Sequence, residues 1–390
     1  MTPEDRRFLG LTFDLARQGT GRTSPNPLVG ALVVKDGAIV GRGHHARAGE
    51  DHAETVALAE AGSAARGSTL YVSLEPCCEH RLLHGHTSPC VDQILAAGIA
   101  RVVAASRDPN PAIDGRGLGR LGDAGLAVEA VDPYFAALSA RLNEIFFAYV
   151  ARRTPFVALK AGMTLDGKIA LPSRRSRWIT GETARREARH LRARYDAVLV
   201  GIGTVLADDP ELAPGAPEEP GGAVGGALTG APRAGRPVRV VLDSSLRLPP
   251  GSRLAASAGA RPVLVYAAQA APADRRKALE ARGVVVVEAG DARVSIPAVL
   301  ADLASRELTS VFVEGGGAVL GSFLAGGHAD KFHLFVAPRL LGGQDALSVV
   351  GGPAPLSLEQ AVDLEIAEVR DVGGDWCLTA YPRRGRRETS

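Results

Sequence analysis

Near the amino terminus, Thr2, Pro3, Glu4 and Asp5 precede the apolar Phe8, Phe13 and Leu15. This layout predicts a helix with Thr2 as its N-cap, proline in the first turn and acids at the positive end of the dipole. The stretch "PNPLVGALVVKDGAIVGRGHH" then reads as two strands around an Asp-Gly turn, hence a β-hairpin. "HAETVALAEAG" is helical, "STLYVSLEP" is an apolar strand, "CVDQILAAGI" a helix and "ARVVAAS" another strand. Short strands alternating with helices predict a layered α/β domain. "SARLNEIFFAYVARR" reads as one polar helix leading to "TPF", where the pattern begins afresh. The domain boundary is therefore expected near residue 150, giving domains 1–150 and 151–390. The second domain is again α/β, with strands "FVALKAGM", "AVLVGIG", "PVRVVLD", "PVLVYA", "VVVVEA", "SVFVEGG" and "KFHLFVAP" and helices between several of them. Residues 213–237, rich in Gly, Pro and Ala, are expected to form a flexible surface insertion that buries too little apolar area to order itself.

Composition narrows the function classes. Apolar residues make up 46% and charged residues 23%, ordinary values for a chain that buries real cores. The charge balance, 45 − 43 = +2, offers no electrostatic case for nucleic acid or an anionic membrane. No run of about 18 apolar residues appears, and "MTPEDRRFLGLTF" lacks the layout of a signal peptide. A cytoplasmic protein is expected, with neither nucleic acid nor membrane as partner. In a reducing compartment, clustered cysteines read better as metal ligands than as disulfides. One cluster stands out: "LEPCCEHRLLHGHTSPC", residues 74–90, holds three cysteines and three histidines.

The chemistry gathers around "HAE" at 52–54 and "EPC" at 75–77. One neutral His and two thiolates supply three ligands for tetrahedral zinc and leave a fourth position for water. Zinc lowers the pKa of that water towards neutrality, making hydroxide available as a nucleophile. A Glu two residues after the His can take the water's proton and pass it to a departing amine. His-x-Glu followed by Pro-Cys and a later Cys is the signature of zinc-dependent base deaminases. The expected metal ligands are His52, Cys77 and Cys90, with Glu54 as the catalytic proton shuttle. Cys78 adjoins Cys77 and neighbouring residues rarely point at one ion, so it reads as a bystander. Cys377, in "DWCLTAY", reads as core.

Nucleoside and polynucleotide deaminases commonly show Pro-Cys-x-x-Cys, whereas twelve residues separate Cys77 from Cys90 here. Order and flanks resemble instead the bifunctional riboflavin-biosynthesis deaminase–reductase family. The matching features are the Pro25-Asn26-Pro27 turn, "GxGxH" from Gly41 to His45, "AG-x-x-HAE" from Ala48 to Glu54, "LEPC…TxPC" and "DPNPAIDGRGLGRL". The resemblance implies a cytidine-deaminase-like three-layer domain in which Asn26 and His45 line the pyrimidine pocket. It also exposes a departure. The family loop is about four residues shorter, with a His two residues after the first Cys and then "G-[RK]-T-P-P-C". Here that His is either His80 or His84, His86 stands where Arg or Lys is usual, and Ser88 replaces a Pro.

The second half has no "GxGxxG" after a strand, since "GIGTVL" and "GGGAVL" fail at the last position, so a Rossmann fingerprint is not supported. It offers polar and Gly-rich turns at strand ends, where open α/β sheets bind ligands and free N–H groups can hold phosphates. The same family resembles this half through "TPFVALKAGMTLDGKIA", "SRWITG", "LRARYDAVLVGIGTVLADDPEL", "VFVEGGGAVLGSFL" and "APRLLGG". This implies a dihydrofolate-reductase-like α/β domain using NADPH. By the resemblance, Gly162, Trp178, Thr204, Asp208, Ser244 and the run Gly316, Gly317, Ala318, Val319, Leu320, Gly321 and Ser322 contact cofactor. Ser176, Arg192, Leu212 and Glu314 contact a ribosylaminouracil phosphate. After "DDP-x-L" the family normally has Thr-x-Arg for the substrate phosphate. This chain has "APG", so Arg233, Arg236 or another residue would have to compensate. Lys160, at the expected strand end, either faces the site or sits in a salt bridge.

The resemblance spans residues 5–380 with both halves in order. It implies one zinc ion and NADPH, phosphoribosylamino-pyrimidine substrates, and a homo-oligomer of undetermined size. The implied reactions are deamination of 2,5-diamino-6-(5-phosphoribosylamino)pyrimidin-4-one and reduction of the ribosyl group to ribityl. The altered Cys–Cys loop keeps an alternative open: the same reductase joined to a deaminase of another substrate, or to a non-catalytic zinc domain.

Overall fold

The computed structural model describes residues 1–79, 88–215 and 236–383. His80, His84, His86, Arg233 and most of the expected 213–237 insertion lie outside the described residues. The chain forms two compact units, Met1–Arg153 and Thr154–Ser390.

The first unit runs α1 (Pro3–Arg17), β1 (Gly30–Lys35), β2 (Ala38–His44), α2 (Ala53–Ala61), β3 (Thr69–Val72), α3 (Cys90–Ala97), β4 (Arg101–Ala104), α4 (Arg116–Asp123), β5 (Ala127–Val128), α5 (Pro133–Leu142) and α6 (Glu144–Arg152). Thr2 and Asp5 form a capping box at the start of α1, each side chain receiving the other's backbone N–H. The hairpin turns at Asp36 and Gly37, both with positive φ, as a tight turn matched to strand twist requires. Sheet order is β2-β1-β3-β4-β5; β1 is antiparallel to β2 and β3, and β3, β4 and β5 are parallel. Alternation along the strands divides the core. Leu32, Val34, Tyr71 and Val103 pack with Phe8 and Phe13 of α1 and Phe135 of α5. Ala31, Val33, Leu70, Val72 and Val102 pack with Ala53 and Ala57 of α2, Ile94 of α3 and Leu121 of α4. The result is three layers. Gly41 and Gly43 explain their own presence in β2: a Cβ on either would lie 2.1 Å from a carbonyl oxygen of α2.

One expected element differs. Residues 139–153 form two helices rather than one, broken at Asn143. The buried Asn143 side chain accepts from Leu28 N at 2.7 Å and donates to Leu28 O at 3.0 Å, and these two bonds hold the residue out of helical register.

The second unit contains β6 (Phe156–Thr164), β7 (Lys168–Ala170), α7 (Glu182–Arg192), β8 (Ala197–Gly201), α8 (Ile202–Asp208), β9 (Val238–Leu242), α9 (Arg253–Ala256), β10 (Val263–Ala267), α10 (Ala273–Glu280), β11 (Val285–Glu288), α11 (Ile296–Ser305), β12 (Ser310–Val313), α12 (Gly317–Ala325), β13 (Lys331–Ala337), β14 (Leu347–Ser348), β15 (Leu364–Asp371) and β16 (Trp376–Pro382). The nine-stranded sheet has the order β11-β10-β9-β8-β12-β6-β13-β16-β15. Its first seven strands are parallel, and β16 runs antiparallel to both β13 and β15. One face of the sheet packs on α11 and α12 through Leu159, Leu199, Val240, Leu300, Leu320 and Phe323. On β13, His333 is buried beside Phe312, with Tyr195 Oη 3.2 Å from its Nε2.

Burial pushes the His333 imidazole down to about 3, and the charges of Lys331, Arg194 and Arg370 act in the same sense. The folded state therefore holds it neutral, while the unfolded chain takes up a proton near the ordinary value of 6.5. Stability from this group is complete above that value and is lost as pH falls towards the folded pKa. Chemical denaturation of the full chain should show about 2 kcal/mol less stability in this unit at pH 5 than at pH 7 from this group alone. His333→Gln should flatten that slope, and an unchanged slope would refute the assignment.

Candidate functional site

In the first unit, two helix N-termini converge. His52 is the N-cap of α2 and Cys90 the first residue of α3, while Cys77 lies on the segment that leaves β3. His52 Nδ1 is 3.3 Å from Cys90 Sγ and 3.6 Å from Cys77 Sγ, and all three donor atoms lie within 4.8 Å of one another. Tetrahedral zinc with Zn–S near 2.3 Å and Zn–N near 2.0 Å would separate a sulfur from a nitrogen by roughly 3.5 Å. One imidazole and two sulfurs at these spacings therefore fit a zinc ion, which among the described residues no other His, Cys, Asp or Glu group does. Cys77 also accepts a backbone N–H from Cys90 at 3.4 Å. Its thiol is drawn down to about 5, chiefly by hydrogen bonding from the Cys90 side chain and then from His52. Cys78 is buried but stands outside the cluster.

Glu54 sits in the first turn of α2, 3% exposed. Burial pushes its carboxyl up to about 7, against the pull of His52. A carboxyl held in this place beside the donor set is within reach of a proton on a ligand bound there. The ring of His45 meets the ring of His52 edge-on at 5.3 Å between centroids. His45 Nδ1 faces the carbonyl of Asp51 at 3.1 Å, so it carries the proton, and Nε2 can accept from Asn26 Nδ2 at 3.2 Å. Desolvation lowers the His45 pKa, in keeping with this neutral form. Asn26, His45, His52, Glu54, Cys77 and Cys90 are thus gathered around one point.

In the second unit the turns that follow β6, β8 and β12, neighbours in the sheet, lie at the C-terminal ends of parallel strands, the usual ligand edge of such a sheet. A Cβ on Gly316, the N-cap of α12, would come 3.9 Å from Thr204 Oγ1 of α8. Trp178 is 60% exposed, its ring flanked by the Arg185 guanidinium at 4.1 Å and that of Arg177 at 5.5 Å. Asp208 is engaged by Arg177 through its carboxylate at 3.1 Å and its carbonyl at 2.7 Å. Ser244 Oγ accepts from Val294 N at 3.1 Å. Gly162 lies on β6, and Ser176 precedes Trp178 on a loop. Within α12, Leu320 is in the core, Gly321 packs against Gly351, and Ser322 Oγ donates to Ala318 O. Gly321 can offer a ligand only backbone, and the Leu320 N–H is already bonded to Gly316 O at 3.2 Å. Leu212 is buried as well, with φ 53.

Lys160 lies within β6 rather than at its end, and the salt bridge is what the structure shows. Glu314, buried after β12, pairs with Arg192 through Nε to Oε1 and through Nη2 to Oε2 at 3.0 Å, while Lys160 Nζ lies 3.7 Å from Oε2. Burial raises the Glu314 carboxyl, but the Arg192 and Lys160 charges outweigh it and hold the group below its usual range. Desolvation lowers Lys160. The alternative at Lys160 was legible, but not its bridging of a shared carboxylate. Asp108 was missed altogether. It is 4% exposed beyond β4, receives Asn110 N at 2.8 Å, and burial lifts its carboxyl to about 7. Its signal was an acid opening the "DPNP" turn.

Residues 2–106 match the cytidine and deoxycytidylate deaminase zinc-binding region, and residues 155–378 match the RibD C-terminal domain. Fold and site thus define a zinc-dependent deaminase joined to an NADPH-using reductase of dihydrofolate-reductase-like build. The riboflavin biosynthesis protein RibD of Bacillus amyloliquefaciens is 38% identical over 379 residues, 97% of this chain and 96% of the relative. That of Escherichia coli K12 is 37% identical over 375 residues, 96% and 98%. Acinetobacter baumannii RibD superposes with TM-score 0.83 at 32% identity, covering 97% of this chain and 99% of that one. The chain belongs to the RibD family of riboflavin-biosynthesis proteins. Relatives match along both halves, so the alternative of an altered or non-catalytic N-terminal half is not favoured.

Metal analysis of purified protein checks the donor set. Cys77→Ser and Cys90→Ser should each lose most of the zinc, and Cys78→Ser should retain it. A zinc-free Cys78→Ser would contradict the geometry.

Proposed function

We propose that residues 1–150 deaminate a phosphoribosylamino-pyrimidine at a zinc ion held by His52, Cys77 and Cys90, and that residues 151–390 reduce the product with NADPH. The observation that carries the first half is the His52–Cys77–Cys90 donor set at 3.3 and 3.6 Å beside the buried Glu54. When bound, zinc supplies a water activated for attack on the amino-bearing ring carbon. Glu54 takes the proton that the water gives up and delivers it to the leaving amine, so ammonia departs and a carbonyl remains. Asn26 and His45, now paired with each other, would turn their amide and imidazole nitrogens to the polar edge of the ring. The substrate chemistry is supported by a Thermotoga maritima protein, 34% identical with TM-score 0.78, whose printed description is a diaminohydroxyphosphoribosylaminopyrimidine deaminase/5-amino-6-(5-phosphoribosylamino)uracil reductase.

When bound, NADPH supplies hydride for C1 of the opened ribosyl group. In this reading Trp178 offers a flat ring against the nicotinamide or its ribose. The α12 N-terminus, from Gly316, presents backbone N–H groups to a phosphate. Gly162, Thr204, Asp208 and Ser244 complete the cofactor wall, and Ser176, Arg192, Leu212 and Glu314 face the substrate. Three of the five Arg192 donors are engaged by Glu314 and Ala213 O, so a substrate phosphate would take the remaining two. We read the protein as a cytoplasmic homo-oligomer acting on small molecules, with neither nucleic acid nor membrane as partner. In support, no helix among the described residues is long and apolar enough to cross a membrane.

Glu54→Gln should lower ammonia release from the pyrimidine substrate by about 10²–10⁴-fold while zinc content holds. Zinc-loaded wild type that releases no ammonia from that substrate would sink the deaminase reading. Arg192→Lys cannot form the two-pronged pair. It should raise KM for the ribosylaminouracil phosphate by about tenfold or more, followed as NADPH oxidation. No oxidation by wild type at saturating substrate would remove the reductase reading.

A further inference from the structure

Cys77 and Cys90 stand on different segments, yet both segments are tied to a third element, α4. Glu75, two residues before Cys77, is 3% exposed. One of its carboxylate oxygens accepts Gly115 N at 2.9 Å and Asp108 N at 3.1 Å, and the other accepts Leu118 N at 3.1 Å. Gly115 is the N-cap of α4 and Leu118 its third residue. A glycine cap has no side chain to accept the first N–H groups, so a carboxylate from another segment does so, at the end of the helix where negative charge is favoured. Such charge-assisted bonds are strong when buried.

The helix also touches the ligand segment directly. A Cβ on Gly117 would lie 2.2 Å from Pro76 O, so the backbone of α4 rests on the residue just before Cys77. Farther along α4, Arg120 donates Nη1 to Cys78 O at 3.1 Å and Nη2 to Asp92 Oδ1 of α3 at 2.8 Å. Arg116 Nη2 meets Glu79 at 2.8 Å. One helix thus holds the chain on both sides of Cys77 and the first turn of the helix that carries Cys90.

We propose that Glu75 is a positioning residue for the zinc site: its buried carboxylate docks α4 against Pro76, and α4 sets the separation of Cys77 and Cys90. The inference rests on the reading of His52, Cys77 and Cys90 as ligands and deepens it. None of these contacts touches a ligand sulfur, so the effect reaches the metal only through ligand placement, to which metal affinity is sensitive.

Full-length wild type, Glu75→Gln and Gly117→Ala should be compared by chelator competition for zinc and by the visible spectrum with cobalt in its place. Glu75→Gln turns one acceptor into a donor facing backbone N–H groups. Gly117→Ala pushes the helix off Pro76 and leaves the carboxylate intact. Both should bind zinc about 10–100-fold more weakly, with a weakened or shifted cobalt spectrum and native-like circular dichroism. Glu75→Asp, which keeps both acceptor oxygens on a shorter arm, should recover part of the affinity. Wild-type affinity and spectrum in folded Glu75→Gln would overturn the proposal. If that variant does not fold, wild-type behaviour of Gly117→Ala overturns it instead. Absence of zinc binding by the wild type would bring down the ligand reading and this inference together, whereas unaffected variants beside a zinc-binding wild type remove the inference alone.

Discussion

Two sulfurs and one imidazole nitrogen must be kept within about 4 Å of one another, out of bulk water, for a tetrahedral metal to be held. That crowding is unfavourable unless something compensates the negative charge of thiolates. In the first unit the compensation is built from backbone: α2 begins at His52, α3 begins at Cys90, and Cys90 N points at the Cys77 sulfur. The sheet between the layers serves to aim these helices. Gly41 and Gly43 let α2 lie against β2 closely enough for its first turn to reach the sulfur pair, and any side chain there would lift the helix and carry His52 and Glu54 away together.

The second unit meets a different demand, since it must receive charged organic ligands rather than hold an ion. Its devices are glycines at strand ends and a fixed excess of positive charge. Glu314 is shared by Arg192 and Lys160, two cations for one anion. The residual positive charge is buried enough to resist screening. Glu314 orders both cationic side chains by pairing with each of them.

What could be read from the sequence followed the range of the interactions. The Thr2 cap, the Asp36-Gly37 turn and the His-x-Glu start of α2 each depend on neighbours within a few residues, and local pattern reveals them. The core position of Cys377 likewise follows from its apolar strand. The break at Asn143 depends on Leu28, 115 positions away, and nothing local announces it. Glu75 bonding to Gly115 and Leu118, and Lys160 sharing Glu314 with Arg192, are equally non-local. In each case the residue type was visible as polar or charged and its partner was not. For Leu320 and Gly321 the resemblance supplied a role, and the helix face that each occupies belongs to packing.

The missing arginine after Leu212 shows how such a departure is absorbed. The family's Arg position falls on Gly215, whose N–H bonds to Arg189 O at 2.8 Å. A Cβ there would start 2.7 Å from His190 Cδ2, so even the first atom of a side chain would require the imidazole to turn away. Two residues earlier, Ala213 O accepts Arg192 Nη1 at 2.6 Å. The segment is therefore pulled onto α7 by its backbone, and a side chain at 215 would first have to displace the His190 ring. Arg192 of α7 lies beside this segment, bonded to both Ala213 O and Glu314. A cation supplied by a helix pinned to Glu314 costs less ordering entropy on binding than one supplied by a loop residue.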